Sequence, residues 1–376
     1  MSSVLERRKE LLELMRLLTL EKGYFTVTDI SDSMQIPRST AQDWFNRLID
    51  ERCILQKKEK RGRHPAEYVV TSAMLSSACR RIFTTVDDDM VAIYHECMSG
   101  GCAAYCAFQH NLAGGAIARA RQEGTLLIEH ARLGEYDTDV GIYPSAAVGI
   151  VGVRREGDRI IQRIRCFGGP AYSLTEMMMM AKGVEDVVLR REGAMVEGEV
   201  ITRALEHAII GVDDTDSRSG GATFALALGL LQYIGKMNGV IPIAHHVVML
   251  NPYHVRRTAG NACSFIEFAI EPGRFPQLPG VISRFVAEES LSPEWGVAIK
   301  RGFLIPDELR KFGEEARARD IPLEEARDLA GRCGITLIGG AGIIGALAAI
   351  TFSGLSSEVM LTPLGEGEGE AKLLRV

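Results

Sequence analysis

The chain has 376 residues, a length that allows two or three domains, each with its own hydrophobic core. Charged residues make up 24% of it and hydrophobic residues 46%, which excludes a disordered chain and a polytopic membrane protein. The 43 Lys and Arg against 49 Asp and Glu give a formal net charge of −6. This negative net charge excludes a protein that coats nucleic acid through an overall positive charge, so any contact with nucleic acid requires a local basic patch.

The sequence predicts a cytoplasmic protein with reduced thiols. The N-terminus has no apolar run of the kind that forms a secretory signal, and the eight cysteines include a spaced cluster. Residues 334–357 carry no charge and are long enough to span a membrane, but they include six glycines. We therefore predict a glycine turn followed by a buried helix there, and no membrane partner.

The first third of the chain has the pattern of a helix-turn-helix. Apolar residues spaced for an amphipathic helix run through residues 4–23, and Thr28 is a candidate cap for a short second helix. A turn at Pro37 precedes a third helix that begins at Arg38. A helix in this position can lie in the major groove of DNA.

A basic hairpin follows these helices. Six positive residues and one negative residue lie between Arg52 and Arg63, and Gly62 marks the loop between two β-like runs. Residues 4–72 resemble the winged helix-turn-helix domains of prokaryotic transcription regulators. The resemblance implies contacts to double-stranded DNA, and the candidates on the third helix and in the wing are Arg38, Ser39, Thr40, Gln42, Asp43, Arg47, Lys57, Lys58, Lys60, Arg61 and Arg63. The alternative is a protein-interaction module whose wing is a solvated loop.

The middle of the chain contains a cluster of thiols and imidazoles. Two strands are predicted around residues 155–158, and a helix over 171–181. The cluster comprises His95, Cys97, Cys102, Cys106 and His110, with Cys166 as a distant fourth thiol. Thiolate and imidazole ligands suit zinc or an iron–sulfur cluster at Cys97, Cys102 and Cys106. The alternative is that these cysteines are small core residues of a tightly packed helix.

Three carboxylates stand at the end of a buried strand in the second half. The strand runs into Asp213, Asp214 and Asp216, and a glycine turn at Gly220 and Gly221 precedes an apolar helix. Clustered carboxylates repel one another unless a cation compensates, and a helix N-terminus binds anions. We predict that they hold Mg²⁺ and a phosphate, with Asp213 on the opposite side of the extended chain from the other two. The alternative is a solvated acidic turn.

Three further blocks, residues 250–262, 292–298 and 339–350, accompany the aspartates. In this order the four motifs resemble the archaeal agmatinylcytidine synthetases of isoleucine tRNA and the related methanogenesis marker protein 11, over about residues 205–365. The resemblance implies an ATP- and Mg²⁺-binding, kinase-like fold interleaved with a ferredoxin-like domain. The residues that it places at the nucleotide are Asp213, Asp214, Asp216, Thr223, Gly260, Asn261, Gly339, Gly342 and Gly345.

The chain departs from that family at positions that bear on catalysis. Ala259 and Gly340 stand where the family has arginines, and Ala222 and Phe224 flank Thr223 where the family has Cys and Thr. Arginines that neutralise charge on a transferred phosphoryl group contribute strongly to rate. Nucleotide binding is thus expected, whereas catalysis depends on compensation by other arginines, for which the candidates are Arg218, Arg256 and Arg257.

These observations predict an α+β multidomain protein, with a winged helix over 1–72, a mixed α/β domain over 73–203 and a nucleotide-binding region over 204–376. The leading hypothesis is a homodimeric, DNA-binding transcription regulator that senses ATP with Mg²⁺ or another phosphorylated ligand. The alternative is an ATP-dependent enzyme that activates a nucleotide, RNA or cofactor intermediate, with Asp213, Asp214, Asp216 and Thr223 as its catalytic residues. A third possibility, an assembly factor for a methanogenic metalloenzyme, depends on the cysteine cluster.

Overall fold

The structure is a computed structural model, and it describes residues 2–60, 62, 64–71, 78–168, 178–253 and 260–362. The chain divides into two compact units, Met1–Ser77 and Ala78–Val376. The predicted division of the second unit near residue 203 stays a prediction, although one continuous strand, Met195–Asp213, crosses that position.

The first unit contains three helices followed by two antiparallel strands: α1 (Ser2–Lys22), α2 (Val27–Met34), α3 (Arg38–Asp50), β1 (Ile54–Lys58) and β2 (Glu67–Val70). Helix α2 begins earlier than Thr28 implied, because Thr26 is its N-cap. The Thr26 hydroxyl accepts a hydrogen bond from the Asp29 N–H at 3.2 Å, and the Asp29 carboxylate accepts one from the Thr26 N–H at 2.8 Å. This reciprocal pair is the capping box that stabilises a helix start.

Aromatic packing holds the first unit together. The ring of Phe45 on α3 lies 5.5 Å from that of Phe25 and 4.9 Å from that of Tyr68 on β2, both in edge-to-face geometry. All three side chains are buried, so they join the third helix to the small sheet. The order of elements agrees with the prediction, whereas the assignment to the winged helix family is not confirmed.

In the described part of the second unit, thirteen strands form one sheet. Its first strands and their helix are β3 (Cys79–Asp87), β4 (Met90–Cys97), α4 (Gly100–Ala113), β5 (Ile117–Glu123), β6 (Leu126–Arg132), β7 (Gly134–Glu135), β8 (Val148–Glu156), β9 (Arg159–Phe167) and β10 (Val184–Glu192). Strands β8 and β9 pair around residues 157–158, as predicted. The helix predicted over 171–181 falls mostly outside the described residues.

Strand β11 (Met195–Asp213) connects the two parts of this sheet. Its first half pairs with β9 and β10, its middle with β3, and the seven residues from Glu206 to Val212 with β13 (Ala262–Ile270). Strand β14 (Gly296–Arg301) lies on the other side of the same segment. The end of β11 is therefore flanked by strands on both sides, which fixes the position of Asp213.

The remaining elements are two further strands of the sheet and the helices that cover both faces of its second half. They are α5 (Thr223–Ile234), β12 (Val240–Met249), a 3₁₀ turn (Phe275–Gln277), α6 (Leu278–Glu289), α7 (Asp307–Ala318), α8 (Leu323–Arg332), β15 (Thr336–Gly339), α9 (Ile343–Ile350) and α10 (Ser357–Leu361). Side chains alternate along β11, so Ile210 joins the core beneath α5 and α6, while Ile209 joins the core beneath α7, α8 and α9.

The uncharged run 334–357 has the predicted structure. Strand β15 leads through a glycine turn into α9, and every residue of α9 except Ile344 is buried. No helix among the described residues is both long and apolar enough to cross a membrane. The coarse fold prediction, an α+β multidomain protein, is confirmed, and the ferredoxin-like assignment stays a prediction.

Candidate functional site

The three predicted aspartates meet at the end of β11. Asp213 is its last residue, and its carboxyl group faces the first turn of α9. Burial, together with the neighbouring carboxylates of Asp214 and Asp216, raises the pKa of Asp213 well above its ordinary value. The protein thus concentrates negative charge on three half-buried residues of one cavity, which favours binding of a cation or a proton.

The chain turns sharply at Asp214. Its φ is 56°, in the left-handed region that residues other than glycine seldom adopt. The predicted alternation of side chains along an extended segment is therefore wrong, because the extended backbone ends at this residue. The turn brings Asp214 and Asp216 into the same cavity as Asp213.

Thr223 connects this turn to helix α5. Its hydroxyl lies 3.1 Å from the Thr215 hydroxyl, from which it accepts a hydrogen bond, and 3.3 Å from Asp216 Oδ1, to which it donates. Thr223 and Thr215 are both buried. The position of the Asp216 carboxylate is thereby fixed by the first residue of the helix.

Two helices begin at the cavity without a side-chain cap. Ala222 precedes α5 and Gly342 precedes α9, and neither can offer a side-chain oxygen to the first N–H groups. Such N–H groups and the helix dipole attract anions. At the start of α9 the N–H groups of Gly342, Ile343 and Ile344 already donate to backbone carbonyls, so the start of α5 is the one better suited to bind phosphate oxygens.

Glycines let α9 approach the aspartates. A Cβ atom at Gly345 would overlap Asp213 Oδ2, and a Cβ atom at Gly342 would lie 2.8 Å from the Asp214 Cβ atom and 2.6 Å from the Gly296 nitrogen. No side chain fits at either position while the helix stays in place. The predicted glycine motif thus has a packing role next to the carboxylates.

These elements enclose a cavity of about 590 Å³, a size typical of small-molecule sites. Of the predicted site residues, those that line it are Asp213, Asp214, Asp216, Gly221, Thr223, Gly260, Asn261 and Gly345. Gly220, Gly339 and Gly342 are not among the lining residues, and Arg256 and Arg257 lie outside the described residues. Most of the predicted constellation is therefore brought together.

The cavity wall contains further residues that the sequence did not single out. Asn251, Arg319 and Asp320 also line the cavity, and the Asn261 side chain donates a hydrogen bond to the Asn251 carbonyl at 2.8 Å. Arg319 is the one cation among the described lining residues, and it pairs with Glu315 and Glu325. Asn251 falls within a quoted motif, whereas Arg319 and Asp320 follow an ordinary amphipathic helix and carry no signal of their own.

The cysteine cluster lies elsewhere in the second unit. Cys97, Cys102 and Cys106 come together at the start of α4, and Cys79 joins them from β3. Cys166 is buried in β9 away from these thiols, and burial raises its pKa to about 12. Among the described residues, no group of three or more His, Cys, Asp or Glu side chains is arranged to hold a metal ion. Neither the zinc or iron–sulfur prediction nor the Mg²⁺ prediction is confirmed.

A buried ionic network adjoins the thiols. Glu129 is fully buried; one carboxylate oxygen contacts His110 Nδ1, and the other lies 3.5 Å from His95 Nε2. The other nitrogen of His95 lies 3.8 Å from the Cys79 sulfur. Burial lowers the pKa of His95 to about 4, so this ring is neutral at neutral pH.

The comparisons with known proteins identify relatives but no family. No family model matches the chain. An uncharacterised protein of Methanocaldococcus jannaschii is 29% identical over 296 residues, which cover 76% of this chain and 96% of the relative.

Two further relatives are 2-agmatinylcytidine synthetases of an isoleucine tRNA, named TiaS. The one from Pyrococcus horikoshii is 28% identical over 152 residues, or 38% of this chain and 35% of the synthetase. The one from Pyrobaculum neutrophilum is 29% identical over 170 residues, or 43% and 39%. The chain thus spans little more than a third of either enzyme. A crystal structure of TiaS in complex with its isoleucine tRNA and ATP aligns over 39% of this chain and 36% of the synthetase, with 25% identity and a TM-score of 0.35.

The prediction of a DNA-binding transcription regulator is wrong. The relatives with a named activity are tRNA-modifying synthetases, and double-stranded DNA and a homodimer are without support. The first unit also engages several of its predicted DNA-contacting cations internally. Arg47 pairs with Glu51 at 3.0 Å, Lys58 pairs with Glu67 at 3.1 Å, and the Lys57 ammonium donates to the Gly23 carbonyl at 2.8 Å. Arg61 and Arg63 lie outside the described residues. The resemblance that the comparisons support is that of the second half of the chain to these synthetases.

Proposed function

We propose that the chain is an ATP-dependent enzyme that activates a nucleotide in RNA, with the ATP phosphates bound in the cavity at the end of β11. One observation carries the proposal: three carboxylates and the uncapped start of α5 line the same cavity of about 590 Å³. Helix starts bind the phosphate oxygens, and carboxylates bind the cation that accompanies them. The similarity to tRNA-modifying synthetases supports RNA as the substrate class.

The donor set suits Mg²⁺ bound together with a nucleotide. Mg²⁺ usually takes one or two carboxylates and completes its coordination with substrate phosphates and water. Asp214 and Asp216 would hold the ion, which supplies charge neutralisation for phosphoryl transfer. Burial and the neighbouring carboxylates raise the pKa of Asp213, and a bound cation would relieve the repulsion between these carboxylates.

The chain's own residues have distinct roles in this proposal. Thr223 fixes Asp216 through its hydroxyl group. Asp213, whose pKa is raised by burial and by the neighbouring carboxylates, takes the proton of the attacking substrate oxygen. Arg319 takes the place of one of the family arginines as the cation that faces the transferred group. To do so, its guanidinium group leaves Glu315 or Glu325 and pairs with the phosphate.

The finer parts of the proposal concern the two units. We propose that residues 4–72 form a winged helix that docks RNA, and that the second half of the chain has the kinase-like and ferredoxin-like arrangement of the synthetases. The exposed cations Arg38 and Lys60, which form no ion pair with any residue that the structure describes, are the candidates for RNA phosphate contacts in the first unit.

Calorimetric titration of ATP with Mg²⁺ tests the nucleotide site. We expect the wild-type chain to bind ATP, and Asp216→Asn to weaken binding by about tenfold or more through loss of one charged ligand. Asp328→Asn is the matched control, because Asp328 is an exposed aspartate on α8 outside the cavity. Equal affinity for wild type and Asp216→Asn would place the nucleotide elsewhere.

Turnover tests the enzyme proposal. Release of ADP or AMP from ATP should increase when unmodified transfer RNA is added, and Asp213→Asn should abolish that increase. If ATP binds and no RNA or nucleotide stimulates its turnover, the chain is a nucleotide-binding protein and the enzymatic proposal fails.

A further inference from the structure

An aromatic side chain lines the cavity at the end of β11 and has no role in the phosphate and cation contacts proposed above. It is Phe224, the second residue of α5, and it is the one aromatic residue among the described residues that line the cavity. Phe224 is 54% exposed, and it belongs to none of the hydrophobic clusters that the described residues form. A ring left open in a cavity is suited to bind a flat apolar ligand, because covering an aromatic ring removes a large apolar area from water.

Two exposed leucines lie near this ring. Leu228 follows Phe224 by one helical turn on α5, a spacing that places the two side chains on the same face of the helix. Leu291 lies against the glycine turn that precedes α5, since its Cδ1 atom is 3.3 Å from the position of a Cβ atom on Gly221. Phe224 therefore belongs to an exposed apolar surface beside the glycine turn.

The backbone next to the ring offers groups that bind a phosphate. The N–H groups of Ala225 and Leu226 donate to the Ala222 carbonyl at 3.0 and 3.1 Å. Those of Thr223 and Phe224 donate to no group that the structure describes, and free N–H groups at a helix start attract anions. A ligand that combines a phosphate with a flat base thus finds partners for both parts at one residue. Nucleotides combine these two parts.

Burial distinguishes Phe224 from the other large apolar residues of the cavity. Leu250 and Ile321 also line it, and they are 6% and 8% exposed. A small molecule such as ATP can enter far enough to place its adenine against such buried residues. A base that belongs to an RNA chain reaches an exposed residue more easily, provided that the base is unpaired and turned out of its stack.

We propose that the Phe224 ring stacks on an unpaired base of the RNA substrate and holds that nucleotide at the start of α5. The inference rests on the proposed function, which supplies RNA as the substrate class. Aromatic side chains stack on unpaired bases of any sequence, because every base has an aromatic face. Phe224 therefore contributes affinity for a single-stranded nucleotide without selecting one base over another.

Three substitutions separate stacking from a general apolar contact. Phe224→Leu keeps an apolar side chain and removes the ring, whereas Phe224→Tyr keeps the ring. Phe108→Leu is the matched control, because Phe108 on α4 has the same 54% exposure and does not line the cavity. Thermal unfolding of each variant checks that it is folded.

The experiment irradiates the full-length chain with single-stranded RNA of random sequence that contains 4-thiouridine, and mass spectrometry maps the crosslinked peptides. We expect crosslinks to residues of the cavity. The RNA concentration that gives half of the maximal crosslinking there should rise about tenfold in Phe224→Leu and stay at the wild-type value in Phe224→Tyr and Phe108→Leu. An oligonucleotide of abasic ribose phosphates should not compete, whereas unlabelled RNA should. Affinity for ATP should be equal in all four chains.

Three results would overturn the inference and leave the proposed ATP site in place. One is crosslinking confined to the first unit, and another is equal half-saturation in Phe224→Leu and wild type. The third is a loss of ATP affinity in Phe224→Leu, because the ring would then contact the adenine of ATP. The absence of any RNA crosslink would refute both this inference and RNA as the substrate class. Cavity crosslinks that depend on Phe224, without RNA-stimulated ATP turnover, would support stacking and refute only the enzymatic proposal.

Discussion

The pKa values of two carboxyl groups, those of Asp213 and Glu267, are shifted in opposite directions. Burial and two neighbouring carboxylates raise the pKa of Asp213. Although burial also opposes ionisation of Glu267, a hydrogen bond with His246 and the nearby His207 lower its pKa to about 2. Ser353 donates a further hydrogen bond to Glu267 at 2.6 Å. The Asp213 carboxyl group lies beside further carboxylates, whereas the histidines next to Glu267 offset the cost of burying its charge. Ionisation of the two groups therefore has opposite effects on stability.

Replacement of Asp213 by Asn should stabilise the protein without ligand. Because the pKa of Asp213 is raised in the folded state, protonation of this group stabilises the fold. This contribution to the free energy of unfolding is complete below the unfolded-state pKa near 3.8 and is lost as the pH rises through the folded-state pKa. At pH 7 without Mg²⁺ we expect Asp213→Asn to increase the free energy of unfolding by about 1 to 2 kcal/mol. Urea unfolding from pH 8 downwards should show this gain shrinking towards pH 4. An Asp213→Asn chain less stable than wild type at pH 7 would contradict the argument, and Asp328→Asn should change little.

Replacement of Glu267 by Gln should have the opposite effect. A lowered pKa contributes stability that is complete above the unfolded pKa near 4.5 and is lost as pH falls towards 2. At pH 7 we expect Glu267→Gln to cost about 3 kcal/mol, because two histidines lose their buried partner. Its unfolding free energy should fall less steeply with acid than that of wild type. Exposed Glu324 supplies the control substitution, Glu324→Gln, which should keep the wild-type slope.

The sequence predicted the residues of the candidate nucleotide site better than their geometry. A strand ending in carboxylates, followed by glycines and a helix, identified Asp213 and Asp214 because this motif is local, and the resemblance to the synthetases added Thr223. The left-handed turn at Asp214 was missed, since nothing in the residue type requires it. Cys79 was also missed as a neighbour of Cys97, because strand pairing depends on the whole sheet and not on spacing along the chain.

At the scale of elements, the first turn of α9 is the part of the site least tolerant of change. Gly345→Ala places a Cβ atom where Asp213 Oδ2 lies, so the helix or the carboxylate must move. We expect a loss of about 1 to 3 kcal/mol in stability and of ATP binding. The matched control is Gly331→Ala on α8, where no atom lies within 4 Å of the added methyl group.

The control substitution should act in the opposite direction. Alanine at an exposed helical position removes the entropy cost of glycine and should add about 0.5 to 1 kcal/mol. Thermal unfolding and ATP titration of both variants decide the matter. Equal behaviour of Gly345→Ala and Gly331→Ala would show that α9 does not approach the aspartates as the structure has it.

Individual elements were predicted from the sequence more successfully than the way in which they pair. The uncharged run 334–357 was correctly predicted as a buried helix because its glycines disfavour a membrane span. The alternation of apolar residues in β11 indicates a buried strand, yet it does not reveal that three sets of strands pair with different parts of it. The alternation of apolar residues shows which face of a strand is buried, but it does not show which strands pair with it.

At the scale of the whole molecule, the two compact units predict separable behaviour. A chain that begins at Ala78 should fold and bind ATP with a Kd within about threefold of the full-length value, because every described cavity residue lies in the second unit. In the proposed enzyme, the same truncation should weaken RNA binding. Calorimetry and an RNA-binding assay on both chains check this, and loss of ATP binding upon truncation would show that the nucleotide site needs the first unit.

The 19-residue strand β11 restricts how such a protein can be assembled by recombination. A crossover before residue 78 exchanges the first unit and leaves every strand of the large sheet with its partner. A crossover within residues 195–213 would separate the segment that pairs with β9 and β10 from the segment that pairs with β13 and β14. We therefore expect homologous genes to gain or lose the segment that encodes the first unit, and to keep the segment that encodes the second unit intact.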